Sequence, residues 1–229
     1  MFIRRVAKLG SLAAAVAAVC LWAGPAWGQT GVIPAGADDG SAPARPAMLT
    51  MDAHANLAQQ LAAARLATAQ YATRLDTAQA HGYQIITPMM PNMGFHFMNP
   101  HIQGFNVRKP QILVYEHHGK TWQLGALEWV FTKMPSAPPL QNATFGSFPA
   151  ACHYQDGNFI PDQDSNTCLK REPKTGAAFT FWHPDLITMH VWLWYPNPAG
   201  LYSSTNPLVA PFNGARATGA EPRSLSNGS

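Results

Sequence analysis

Charge is scarce in this chain. Asp, Glu, Lys and Arg make up only 12% of its 229 residues, about half the ~25% usual for a soluble domain. The formal net charge is +3, but Arg4, Arg5 and Lys8 crowd the N-terminus. Without them, 12 Lys+Arg (15 less 3) face 12 Asp+Glu. So neutral a chain has no basic stripe, which argues against a nucleic-acid groove. Cysteine is scarce too, with three residues and no C-x-x-C pair. A G-x-S-x-G elbow, a P-loop and a dinucleotide G-x-G-x-x-G are all missing, so the sequence points to none of those chemistries. Past the N-terminus no apolar run approaches the ~20 residues that span a bilayer.

What is present begins with an export pattern at residues 1–28. Arg4, Arg5 and Lys8 form a positive region, Leu9 to Ala23 is apolar, and Ala26-Trp27-Gly28 supplies small residues before Gln29. This reads as a cleaved secretory signal, because the uncharged run is only ~15 residues, short of a membrane anchor. Arg4-Arg5 leaves a twin-arginine route open. A lipoprotein would use Cys20, where Val19 precedes it in place of a small residue. The expected location is therefore periplasmic or extracellular. Cys152 and Cys168 remain in the mature chain. With an oxidising compartment and a polar segment between them, they are expected to form a disulfide rather than a pair of metal thiolates.

Hydrophobic residues at 47% suffice for a core, and 20 prolines with 18 glycines indicate many loops. Residues 29–49 are poor in large apolar side chains and read as a disordered linker, as does 213–229 as a tail. One domain is expected over 50–212. In it, Leu57, Leu61, Ala64, Tyr71, Leu75 and Ala78 form one stripe at helical spacing, predicting a single helix between Thr50 and His81 that stops at Gly82. After Gly82, Pro and Gly punctuate β-branched and aromatic runs. Strands are predicted at 94–98, 111–117, 121–131, 178–182 and 186–195, with a hairpin turning at His118-Gly119. The expected class is α+β: one long N-terminal helix, then an antiparallel β-sheet with long loops.

Four phrases of the sequence stand out together. They are Met93-Gly94-Phe95-His96-Phe97-Met98-Asn99-Pro100, Pro110-Gln111-Ile112-Leu113-Val114-Tyr115-Glu116, Gly125-Ala126-Leu127-Glu128-Trp129, and His190-Val191-Trp192-Leu193-Trp194 followed by Asn197-Pro198-Ala199-Gly200-Leu201. Over roughly residues 65–210 the chain resembles a family of exported bacterial proteins, a domain of unassigned activity, with G-x-H-x-x-N-P and H-V-W-L-W-x-x-N-P-x-G-L motifs. The resemblance implies export and a single domain. It brings no activity and no site residues.

Candidate chemistry must therefore come from the residues. Glu116 and Glu128 are the only acids between Thr77 and Gln155. Glu128 lies in an apolar strand, where a carboxylate must reach solvent, pair, or bind something, because an isolated buried charge is very costly. With a two-residue turn at 118–119, Glu128 shares a side with Trp122, Leu124, Leu113 and Tyr115; a three-residue loop would put both acids on one side. His190 alternates with Trp192 and Trp194, which suggests a pocket wall; a core histidine with one hydrogen bond is the plain alternative. His96 alternates with Met98. Because Met89, Met90 and Met93 are close by, copper on thioethers competes with simple core packing. His96, Glu128 and His190 together make a two-histidine, one-carboxylate set suited to Zn²⁺ or Fe²⁺. Trp192, Trp194, Glu116 and Met98 are the candidate pocket lining. Three functions fit: a module binding a small ligand or metal, a metal-dependent or acid–base enzyme using the three residues, or an envelope protein docking a partner.

Overall fold

A computed structural model of the chain describes residues 46–215, with side chains from residue 55 onward. The expected signal, most of the linker and all but the start of the tail lie outside the described residues. The fold mixes helix with two antiparallel sheets and is mostly β.

The helical stripe is present, but the single helix is not. Helix α1 spans Pro46–Thr68, so residues 46–49 of the expected linker are helical. A 3₁₀ turn follows at Ala69–Tyr71, then a short helix α2 at Leu75–Ala80. The break has a physical cause. The sheet recruits the backbone carbonyls there: Tyr71 O accepts from the Tyr115 hydroxyl at 2.7 Å, and Ala72 O accepts from Leu124 N at 2.8 Å. Thr68 also turns its hydroxyl back onto Ala64 O at 2.8 Å, a bond that bends helices. Ala64, Tyr71, Leu75 and Ala78 are buried on the sheet despite the interruption.

The larger sheet has the order β1-β2-β3-β4-β9-β5, and the smaller one β7-β6-β8. Strands β1 (Gln84–Ile85), β2 (Phe95–Met98), β3 (Ile112–His118), β4 (Thr121–Phe131), β5 (Gly146–Phe148) and β9 (Leu186–Val191) make the first. Strands β6 (Ala151–Tyr154), β7 (Phe159–Pro161) and β8 (Phe179–His183) make the second. The single sheet read from the sequence is thus two, and 192–195 lie beyond the end of β9.

The β3–β4 hairpin turns one residue later than expected. His118 pairs with Thr121, leaving Gly119-Lys120 as the loop. The register then shifts, because Tyr115 pairs with Leu124 while Val114 pairs with Ala126. Gly125 is the extra residue, and it forms a β-bulge. Its carbonyl accepts from both Trp194 N and Tyr195 N, each at 3.0 Å. The bulge changes which residues share a face. Leu113, Tyr115, Trp122, Leu124, Leu127 and Trp129 pack together under the helices. Ile112, Val114 and Ala126 lie in a second apolar cluster on the opposite face, with Met98 and Trp192.

The smaller sheet packs beside β1. His153 Nδ1 donates to Ile86 O at 2.9 Å, and Gly157 lies directly on Ile85. The expected disulfide is present: Cys152 on β6 bonds Cys168, with α-carbons 5.6 Å apart. The tail is anchored at its start. Asn213 exchanges two hydrogen bonds with Asn92, at 2.7 and 2.8 Å, so the reading of a free tail from 213 is corrected there.

Two stability outcomes follow from this packing. Gly94 precedes β2 at φ +106, and a Cβ there would meet Tyr115 O at 2.6 Å and Glu116 Oε1 at 2.7 Å. Gly94→Ala should cost about 2–4 kcal/mol in urea unfolding; an unchanged midpoint would show that the close approach is not as tight as drawn. Replacing Cys152 and Cys168 together by alanine opens a loop of sequence separation 16 and should cost about 3 kcal/mol.

Candidate metal centre

The bulge at Gly125 carries Glu128 to the face that holds His96. Without it, the two-residue turn would place Glu128 with Trp122 and Leu124, which is the parity read from the sequence. On β4 and β9, Glu128 and His190 are directly paired across the strands. On the other side Glu128 pairs with Ile112, and Ile112 with Met98, next to His96. Three strands thus bring the residues together despite sequence separations of 32 and 62 residues.

All three are buried, with exposures of 5% for His96, 7% for Glu128 and 5% for His190. His190 Nδ1 donates to Glu128 Oε1 at 3.0 Å. His96 Nε2 lies 3.8 Å from Glu128 Oε2, and the two imidazole rings are 6.4 Å apart. One ligand atom from each residue lies within 4.8 Å of the others. The outer contacts orient the rings. The Thr87 hydroxyl meets His96 Nδ1 at 3.0 Å and accepts from the His96 backbone N–H at 3.1 Å. His190 Nε2 is a buried atom with no hydrogen-bond partner.

Burial lowers His96 to about 4, with Glu128 opposing and His190 adding to the effect. Its imidazole is therefore neutral near pH 7, the form that binds metals. For Glu128, burial works upward, but the hydrogen bond from His190 and the nearby imidazoles carry it below its ordinary value. The neutral His96 contributes little of that near pH 7, so the His190 N–H is the cause that counts.

The centre lies at the wall of a cavity of about 480 Å³. Its other walls come from loops and from both sheets: Thr87, Met90 and Met93, then Thr144 to Phe148, Phe159 of β7, Thr188, and Tyr202 to Ser204. Little of this wall was legible in the sequence, because loops far apart in the chain supply it.

The four candidate lining residues lie elsewhere. Trp192 supports the site from behind, with its ring 4.9 Å from His190 and its Nε1–H donating to Ser203 O at 2.7 Å. Trp194 is on the helix side, a correction to its expected place beside His190. Its Nε1–H donates to Thr68 Oγ1 at 3.0 Å, and Arg65 stacks on its ring. The regular alternation ends with β9, so parity beyond Val191 is lost. Met98 packs in the second apolar cluster. Met89 packs in the first, while Met90 and Met93 line the cavity. The methionines are thus divided among three places, and only Met90 and Met93 share the cavity with His96.

Glu116 shares the face of Glu128, wedged against Gly94 and near Gly125. It does not line the cavity. Its Oε1 is buried without a partner, and burial pushes its carboxyl up to about 7.

A second histidine pair went unread in the sequence. The rings of His153 and His183 lie 4.9 Å apart, tilted by 31°, and their Nδ1 atoms donate to Ile86 O and Pro184 O at 2.9 and 2.6 Å. Burial lowers both, with His153 held at about 3. No sequence signal marked His153, since only the meeting of the two sheets pairs it with His183.

No protein-family model, no curated protein and no solved structure matches the chain. No helix among the described residues is long and apolar enough to cross a membrane.

Glu116 sets a pH dependence that can be measured. A carboxyl near 7 in the fold and near 4.5 in the unfolded chain binds its proton more tightly when native. The contribution of Glu116 to stability is then greatest below about 4.5 and falls by about 3 kcal/mol as pH rises through 7. Glu116→Gln should abolish that fall, so the variant gains on the natural protein at pH 8 and matches it near pH 4.5. Parallel urea titrations with the same pH slope in both proteins would exclude a neutral buried Glu116.

Proposed function

We propose that this protein is an exported binding module that holds a divalent cation, Zn²⁺ or Fe²⁺, on His96, Glu128 and His190. The open coordination positions face the cavity. The observation that carries this reading is the convergence of three buried ligand atoms within 4.8 Å. Zinc bonds to nitrogen and oxygen run about 2.0–2.2 Å, so ligands on one ion stand roughly 3–3.5 Å apart. Coordination through His190 Nδ1 would replace its hydrogen bond to Glu128, the ring proton moving to Nε2 or to solvent, and small rotations of the side chains would draw the three donors together. Two neutral imidazoles, one carboxylate and an outer hydroxyl on His96 form a donor set common to Zn²⁺ and Fe²⁺ sites. Export rests on the residue 1–28 pattern, and the disulfide is compatible with it.

Elemental analysis of natively exported protein should find about one zinc or iron per chain. His96→Asn should remove it while leaving the circular dichroism unchanged. Thr87→Val should weaken metal binding about 10–100-fold, because it frees the ring that the hydroxyl orients. Exported protein that holds no metal, and takes up neither ion at micromolar concentration, would refute the module.

The cavity beside the three ligands favours a second reading, a hydrolytic enzyme. Three protein ligands with an open position polarise a substrate oxygen or acidify a bound water. Metal-dependent turnover of small esters or amides, lost in Glu128→Gln, would establish it.

A further inference from the structure

We infer that the cavity takes a small organic monoanion, a carboxylate or phenolate on an apolar body, with its charged oxygen on the cation. The inference rests on the cation-binding reading above and adds the class of ligand. Charge comes first. A divalent ion with one carboxylate and two neutral imidazoles leaves one net positive charge in a buried site. A monoanion cancels it. A dianion such as phosphate leaves a buried negative charge, and such a charge is costly unless paired. No residue lining the cavity is Lys or Arg, so the wall offers no second cation.

The wall also decides where the anion must sit. Three of the seven hydroxyl residues in its lining spend their protons on backbone carbonyls. Thr144 donates to Tyr202 O at 3.2 Å, Tyr202 to Gln141 O at 2.8 Å, and Ser203 to Thr205 O at 2.9 Å. The others are neutral donors, so the lining holds no cationic partner for an anion away from the metal. The apolar parts of the lining, Met90, Met93, Phe145, Phe148 and Phe159, suit a hydrocarbon or aromatic body. A cavity of about 480 Å³ falls within the range for small-molecule pockets.

Cobalt(II) bound to the full chain gives a visible spectrum that reports both steps. Stoichiometric Co²⁺ bands that His96→Asn abolishes would support the metal site. Their absence would overturn the cation reading and this inference together, before any anion is added. With Co²⁺ bound, benzoate should shift the bands saturably, with a half-point near 1 mM or below for so small a ligand. Near pH 8, where inorganic phosphate is mostly the dianion, benzyl alcohol and phosphate at the same concentrations should leave them unchanged. Bound Co²⁺ that ignores benzoate, or answers phosphate equally well, would overturn the inference alone. Ser204 is an exposed residue of the wall, so Ser204→Lys adds a cation without disturbing the core. It should confer a response to phosphate, with a gain of at least ~10-fold in affinity. A Ser204→Lys protein that still excludes phosphate would show that charge does not select the ligand.

Discussion

The extra residue that Gly125 inserts into β4 sets the face on which Glu128 emerges, and the rest of the centre is organised around that turn. A bulge places two residues of one strand against one of its partner and reverses the alternation beyond it. Upstream, Trp122 and Leu124 pack under the helices; downstream, Glu128 stands on the other face with His190 and His96. Glycine suits the position. A Cβ there would come within 3.3 Å of the Trp192 ring, and that ring supports His190. The same residue's carbonyl holds the chain just after β9 through Trp194 N and Tyr195 N. One irregularity thus positions the carboxylate, leaves room for the tryptophan behind the imidazole, and sets where the following segment crosses the sheet.

The two faces of the larger sheet differ accordingly. The helix side is a dense aromatic core in which Phe95, Phe97, Tyr115 and Trp122 meet largely edge to face. The other side combines an apolar cluster with buried His96, Glu116, Glu128 and His190. Buried polar groups are expensive unless partnered. Here the partnering is incomplete: Glu116 Oε1 and His190 Nε2 have no hydrogen bond. A fold that keeps such groups carries a cost that an apolar core would avoid.

The smaller sheet closes the arrangement. Through the His153 bond to Ile86 O and the contact of Gly157 with Ile85, it leans on the edge strand β1. Its Phe159 joins Phe148 of β5 at the cavity. The Cys152–Cys168 bond lies in this sheet, where a polar segment buries few apolar side chains of its own. The cross-link restricts the unfolded chain in a region where burial alone contributes little.

Local pattern carried much of this in the sequence. Alternation and punctuation located five strands to within about a residue at their starts, because period and turn chemistry are properties of neighbouring residues. Composition and cysteine count led to the disulfide, and isolated polar residues in apolar strands singled out His96, Glu128 and His190. Tertiary structure decided what local pattern cannot encode. It broke the helix after Thr68, because carbonyls of the sheet-facing turn bond to Tyr115 and Leu124. It divided one expected sheet into two, and drew the cavity wall from loops far apart in the chain. It also moved Trp194 to the helix face and placed Glu128 with the histidines. The placement of Glu128 depends on one extra residue in a strand, whose effect on facing appears only when the partner strand fixes the register.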